Sequence, residues 1–198
     1  MSNQGVDPSR RRFLTLTTTV VGGAGAAAAV WPFLASLKPS DRAKALGAPV
    51  TIDISHIEDG QRVIVAWRGK PVWVVKRTPE MLASLPKVAA QLRDPDSVEK
   101  QQPDYVKGEA RAIKPQMLVM VGSCTHLGCS PVYRPDHPAA DIDPSWEGGF
   151  YCPCHGSKFD LSGRVYKGVP APLNLQVPPH RYEGETTIVV GEDQVGVA

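Results

Sequence analysis

Residues 124–129 read Cys-Thr-His-Leu-Gly-Cys and residues 152–157 read Cys-Pro-Cys-His-Gly-Ser. These two stretches hold all four cysteines of a 198-residue chain and two of its five histidines. Cys124 and His126 are one residue apart, and Cys152 and His155 two, so each pair can bring two donors to one centre from a short loop. Gly128 and Gly156 permit tight turns that aim backbone N–H groups at sulfur, and Pro153 stiffens the second loop. Cys129 and Cys154, one in each box, are then left over and available to tie the loops together. By themselves the residues allow a two-cysteine, two-histidine iron–sulfur centre with one disulfide, a structural zinc site, or two plain disulfides beside incidental histidines. Zinc sites more often show Cys-x2-Cys pairs, which are missing here.

The iron–sulfur reading has a chemical logic. Four thiolates leave a [2Fe–2S] core doubly negative, whereas two thiolates and two neutral imidazoles leave it uncharged and easier to reduce. An imidazole ligand also keeps one ring nitrogen free to carry a proton, so electron and proton uptake become coupled. His56, His137 and His180 lie outside the boxes and read as ordinary surface or core residues.

Outward from the boxes, the chain reads as mostly β. Met117–Val121 runs as a strand into the first box, and Phe150-Tyr151 leads into the second. Val50–Ile54 alternates like a short strand. Arg62–Trp67 and Pro71–Lys76 flank Arg68-Gly69-Lys70 as a hairpin rich in Val, Ile and Trp. Thr78-Pro79-Glu80 starts a helix, with Thr as cap, Pro in the first turn and an acid at the positive dipole end. Met81–Leu85 and Val88–Leu92 continue an apolar helical stripe, interrupted at Pro86. Residues 94–114 and 134–149 read as polar loops, 168–179 as a proline-rich loop, and Thr186–Val190 as a closing strand.

The N-terminus is different in kind. Phe13 to Leu37 is 25 residues without a charged side chain, roughly 37 Å as a helix, enough for a bilayer core of about 30 Å. Its small residues around Ala26–Ala29 also suit a cleaved signal peptide, but its length favours an uncleaved anchor. Ser9-Arg10-Arg11-Arg12-Phe13-Leu14 directly before it resembles the twin-arginine export signal, with Arg10 and Arg11 as its signature pair. Residues 1–12 are thus expected in the cytoplasm, 13–37 as a single-pass anchor in a bacterial inner membrane, 38–49 as a flexible tether and 50–198 as a periplasmic head. The net charge of +2 is that of the first twelve residues, three arginines and one aspartate, and the remaining 186 carry 19 basic and 19 acidic side chains. A neutral head has no electrostatic footprint for nucleic acid.

The two boxes, with Trp67–Val72, the Arg77-Thr-Pro-Glu helix start, Ile113–Gly122 and the loop Gly168–Pro172 with Asn174, resemble the membrane-anchored Rieske iron–sulfur subunits of cytochrome bc complexes. The resemblance implies an antiparallel Rieske-type β-sandwich with a cluster-binding subdomain at about 115–175 and one helical insertion. It implies one [2Fe–2S] cluster, with Cys124 and Cys152 on one iron and His126 and His155 on the other, and a Cys129–Cys154 disulfide. Ser157 would donate to a bridging sulfide, Leu127 and the loop containing Pro170 would shield the cluster, and His155 would meet quinol. The implied activity is ubiquinol–cytochrome c reduction, with cytochrome b and a c-type cytochrome as partners in a dimeric complex. The same signal and boxes also suit the Rieske subunit of arsenite oxidase. Two departures stand out. Phe159 replaces a tyrosine common in respiratory members, which lowers the expected potential, and Val169 alters the usual G-P-A-P form of the covering loop.

Overall fold

The computed structural model describes residues 7–193. The chain divides into two compact units, Met1–Ala45 and Leu46–Ala198.

The first unit is dominated by helix α1, Pro8–Ser36. Asp7 caps it, its side chain accepting from the Ser9 amide at 2.9 Å, and Pro8 occupies the first turn, where its missing N–H costs nothing. The helix runs through Pro32 and buries no residue of its own. It is long and apolar enough to cross a membrane. A second helix, α2 (Asp41–Gly47), lies in the stretch expected to be a featureless tether. The Ser40 hydroxyl accepts from the Ala43 amide at 3.2 Å, and Asp41 sits in the first turn, so a capped helix start was present in the sequence.

Among the described residues, the second unit contains nine strands in three antiparallel sheets. One sheet joins β1 (Val50–Asp53), β9 (Thr187–Val190) and β8 (His180–Glu183) in that order; the second joins β2 (Arg62–Trp67), β3 (Lys70–Lys76) and β4 (Met117–Val121). The β2–β3 turn places Arg68 at φ 50° and Gly69 at φ 73°, the left-handed pair that matches the twist of a two-residue hairpin. The third sheet joins β5 (Val132–Arg134), β6 (Gly149–Cys152) and β7 (Ser157–Phe159).

Strand alternation makes the second sheet the shared wall of two cores. Val72, Val74, Val119 and Val121 pack with Ile52, Ile188 and Val190 of the first sheet. Trp73, Val75, Leu118 and Met120 point the other way and pack with Phe150, Phe159, Cys124 and Cys152. This explains why β4 is buried at every position, a continuous apolar run rather than an alternating one. A Cβ on Gly122, just past β4, would sit 2.0 Å from the Trp73 ring, so glycine is what lets the tryptophan close this core.

The expected helix is α3 (Pro79–Ser84), with the Thr78 hydroxyl accepting from the Met81 amide at 3.2 Å. A 3-10 turn at Ala89–Gln91 follows beyond Pro86. Val88 and Leu92 then pack with Trp146 and Tyr166, with Val169 against the same group. Strands β5, β7 and β8 were not expected. Each is three or four residues long and flanked by loop or cysteine-box residues, too short for any hydrophobic period to register.

Candidate metal centre

Both boxes are built by strand ends. The first follows β4 and turns back on itself: the Gly128 amide donates to the Cys124 carbonyl at 2.9 Å and the Cys124 amide to the Cys129 carbonyl at 2.7 Å. The second is the β6–β7 turn, with Cys152 opposite Ser157 in register and the Gly156 amide donating to the Cys152 carbonyl at 2.9 Å. Gly128 and Gly156 adopt φ of 84° and 75°, the left-handed conformation the turns require.

The four cysteines separate into two pairs. Cys129 and Cys154 form a disulfide that ties the boxes together. Cys124 and Cys152 are free thiols, only 3% and 2% exposed. The sulfurs of Cys129, Cys152 and Cys154 lie within 4.8 Å of one another. That trio is not a ligand set, because a disulfide offers no thiolate. Burial pushes the Cys152 thiol above its ordinary pKa, and the neighbouring Cys124 side chain adds to the shift. At the surface, the rings of His126 and His155 lie 4.8 Å apart and nearly perpendicular, at 85°. His155 is exposed and His126 half-buried.

This donor set fits a cluster with two different irons. Two adjacent buried thiols are costly to ionise unless a cation neutralises them, and two imidazoles converge beside them at the rim. Leu127, next to His126, is 72% exposed. His56 and His137 are exposed, whereas His180 is a core residue, its Nδ1 2.9 Å from the Pro178 carbonyl oxygen and its pKa lowered by burial.

The loop Gly168–Pro172 is fastened from several sides. The Ser157 hydroxyl oxygen accepts from the Ala171 amide at 3.1 Å, which leaves the hydroxyl proton free to donate elsewhere. Ala171 is fully buried in the same core as Cys124 and Cys152, whereas Pro170 is exposed. Val169 packs against both this core and the Trp146–Tyr166 cluster. Two further clamps involve Thr125 and Asn174, whose hydrogen bonds leave no local signal in the sequence. The Thr125 hydroxyl donates to the Leu173 carbonyl at 2.6 Å. Asn174, 1% exposed, accepts from the Val165 amide at 2.8 Å and donates to the Asp94 carbonyl at 2.9 Å. Phe159 is fully buried and offers the site no polar atom. Arg10 and Arg11 lie exposed in the first turns of α1.

The chain is similar to known proteins over nearly its whole length. Residues 1–40 match the family described as "Ubiquitinol-cytochrome C reductase Fe-S subunit TAT signal", and residues 50–179 match the Rieske [2Fe-2S] domain. The ubiquinol-cytochrome c reductase iron-sulfur subunit of Allochromatium vinosum is 57% identical, over 98% of this chain and 94% of its own. That of Rhodospirillum rubrum is 46% identical, over 96% of each. A chain of a solved hyperthermophilic respiratory complex III aligns at 27% identity with a TM-score of 0.46, covering 87% of this chain and 98% of its own. With nearly its whole length accounted for and its free and bridged cysteines sorted as described, the chain belongs to the Rieske [2Fe–2S] subunits of bacterial ubiquinol–cytochrome c reductase.

Proposed function

We propose that Cys124 and Cys152 hold one iron of the cluster and His126 and His155 the other, and that the chain accepts single electrons from ubiquinol beside cytochrome b and delivers them to a c-type cytochrome. The observation that carries this reading is the depth ordering of the donors: the two free thiols are 3% and 2% exposed, while the His155 ring lies open to solvent. Bound there, the cluster supplies a one-electron acceptor, and Rieske centres as a class work at about −150 to +300 mV, against about −400 mV for plant-type ferredoxins. The residues around it do the rest. His155 presents its outer ring nitrogen to the quinol hydroxyl, accepts the hydrogen bond and then holds the proton. His126 turns its ring edge-on to His155 and fixes its partner's orientation. Leu127 and the clamped Gly168–Pro172 loop keep water from the thiolate side.

The twin-arginine match and the apolar helix support reading the chain as an exported, membrane-anchored protein. We take the N-terminus to be cytoplasmic, the head periplasmic and the whole complex dimeric. Movement of the head on residues 38–49 would carry the electron from one partner to the other.

The test is purification from solubilised membranes through a tag on this chain. Haem b and haem c should co-purify, with quinol-dependent cytochrome c reduction in the same fraction. A molybdenum-containing partner in place of the two haems would overturn the reading. Prolines added within residues 38–49 should slow turnover and leave the cluster's EPR spectrum unchanged; normal turnover would count against a moving head.

A further inference from the structure

Among the described residues, three arginines lie buried in the head. Arg77, Arg111 and Arg164 are 2%, 0% and 1% exposed, and a single buried carboxylate, Asp160 at 1%, faces them. Asp160 is committed to Arg164, accepting from its Nε at 2.7 Å and from its backbone amide at 2.7 Å. Arg77 and Arg111 instead spend their donors on neutral groups. Arg77 donates to the Leu161 carbonyl at 3.1 Å and the Ser162 hydroxyl at 2.8 Å. Arg111 donates to Gln102 Oε1 at 2.7 Å and to the Ser162 and Leu175 carbonyls at 2.9 and 2.8 Å. These bonds hold the guanidinium groups in place without neutralising them. Burial lowers the pKa of Arg77 and of Arg111 to about 10, which still leaves both cationic at neutral pH. Three cations against one anion leave a buried surplus of two positive charges. The other nearby carboxylates lie toward solvent, where they are screened: Glu109, 4.0 Å from Arg164, has a 52% exposed side chain, and Asp94, which acts on Arg111, is half-buried.

Arg111 borders the core that holds the two thiols. Leu175, whose carbonyl Arg111 holds, belongs to the same apolar core as Cys124 and Cys152. A Cβ on Gly163 would lie 3.3 Å from Arg111 Nη1 and 3.1 Å from Met120, another member of that core. Arg111 therefore borders the apolar core that contains the cysteines, and through such a core a charge is felt more strongly than through water.

We propose that Arg111, with Arg77 and Arg164, is a positioning residue for electron uptake: the buried positive surplus favours the state carrying one more electron and holds the midpoint potential up. The inference rests on the cluster being held by Cys124, His126, Cys152 and His155, and absence of a Rieske EPR signal in the parent chain would defeat that assignment rather than this one. A purely structural knot, binding residues 160–164 to the rest of the head, would change stability and leave the potential alone.

Three full-length variants in membranes, each titrated by EPR, separate the two roles. Arg111→Gln removes one positive charge and should lower the midpoint. Asp160→Asn removes the one negative charge and should raise it, while Asn keeps an oxygen for the Ser162 and Arg164 amides. Gln102→Ala deletes the hydrogen bond to Arg111 Nε without changing charge and should leave the midpoint at the parent value while lowering the melting temperature. Should Arg111→Gln fail to assemble a cluster, the contrast between Asp160→Asn and Gln102→Ala decides the matter. An unmoved or lowered midpoint in Asp160→Asn, or shifts of equal size and sign in Asp160→Asn and Gln102→Ala, overturns the proposal.

Discussion

Ser157→Ala removes a hydroxyl to which we assign two separable jobs. Its oxygen accepts the Ala171 amide at 3.1 Å in a fully buried setting. Deleting it strands that N–H, at a cost of about 1–3 kcal/mol. At roughly 2–4 °C per kcal/mol for a domain of this size, the melting temperature should fall by about 4–8 °C for a mid-range cost. The hydroxyl proton, not used by Ala171, is free for a cluster sulfur. A hydrogen bond to a charged acceptor is stronger than one to a neutral acceptor by about 1 kcal/mol, so the reduced state loses more than the oxidised one. With about 59 mV per 1.4 kcal/mol for one electron, the midpoint should drop by roughly 40 mV. Calorimetry of the purified chain reads the first effect and EPR-monitored redox titration the second. A melting temperature that falls while the midpoint stays put refutes the donation to sulfur. An unchanged melting temperature refutes the clamp.

Phe159→Tyr places a donor at a fully buried position opposite Phe150 and should raise the midpoint by roughly the same 40 mV; titration showing an unchanged or lower value counts against it. Gly149→Ala should be severe, because Gly149 has φ 153° and a Cβ there would lie 2.1 Å from the Phe159 carbonyl oxygen. About 3 kcal/mol or more of destabilisation follows from strain and overpacking, and a denaturation midpoint equal to the parent's would disprove it. Lys158 lies 2.6 Å from Asp143, holding that carboxyl well below its usual range. A depressed carboxylate stabilises the fold above its unfolded pKa of about 3.9 and loses that contribution as pH falls through the folded value. Lys158→Gln should therefore cost under about 1 kcal/mol at pH 7, since the pair is partly exposed. The gap from the parent in urea midpoints should close as pH drops below about 4, and a gap that widens there contradicts the pairing.

The boxes were legible because their chemistry is local. Donor type, loop length and glycine placement all lie within six residues of sequence, and the structure returned the expected Cys129–Cys154 bond and two free thiols. The long strands were legible for a related reason, since β2, β3 and β4 carry apolar runs bounded by clear turns. What stayed hidden depends on distant partners. Thr125 and Asn174 look like ordinary polar loop residues until Leu173, Val165 and Asp94 are brought to them. Arg111 reads as solvent-facing inside a polar loop, and only folding surrounds it with the carbonyls of Ser162 and Leu175. No local pattern announces a buried arginine, because that residue type is rarely found there.

The same depth ordering that separates free thiol from bridge also governs how the four cysteines meet an oxidant. Cys154 is exposed and Cys129 half-buried, while Cys124 and Cys152 lie in the interior, side by side. Thiol oxidation follows access, so a reagent arriving from solvent reaches the outer pair first and closes it before it can touch the inner pair. The fold thus orders the four cysteines by their access to solvent. The outer pair carries the disulfide and the inner pair remains as thiols, so position in the fold, rather than sequence spacing, assigns each cysteine its oxidation state.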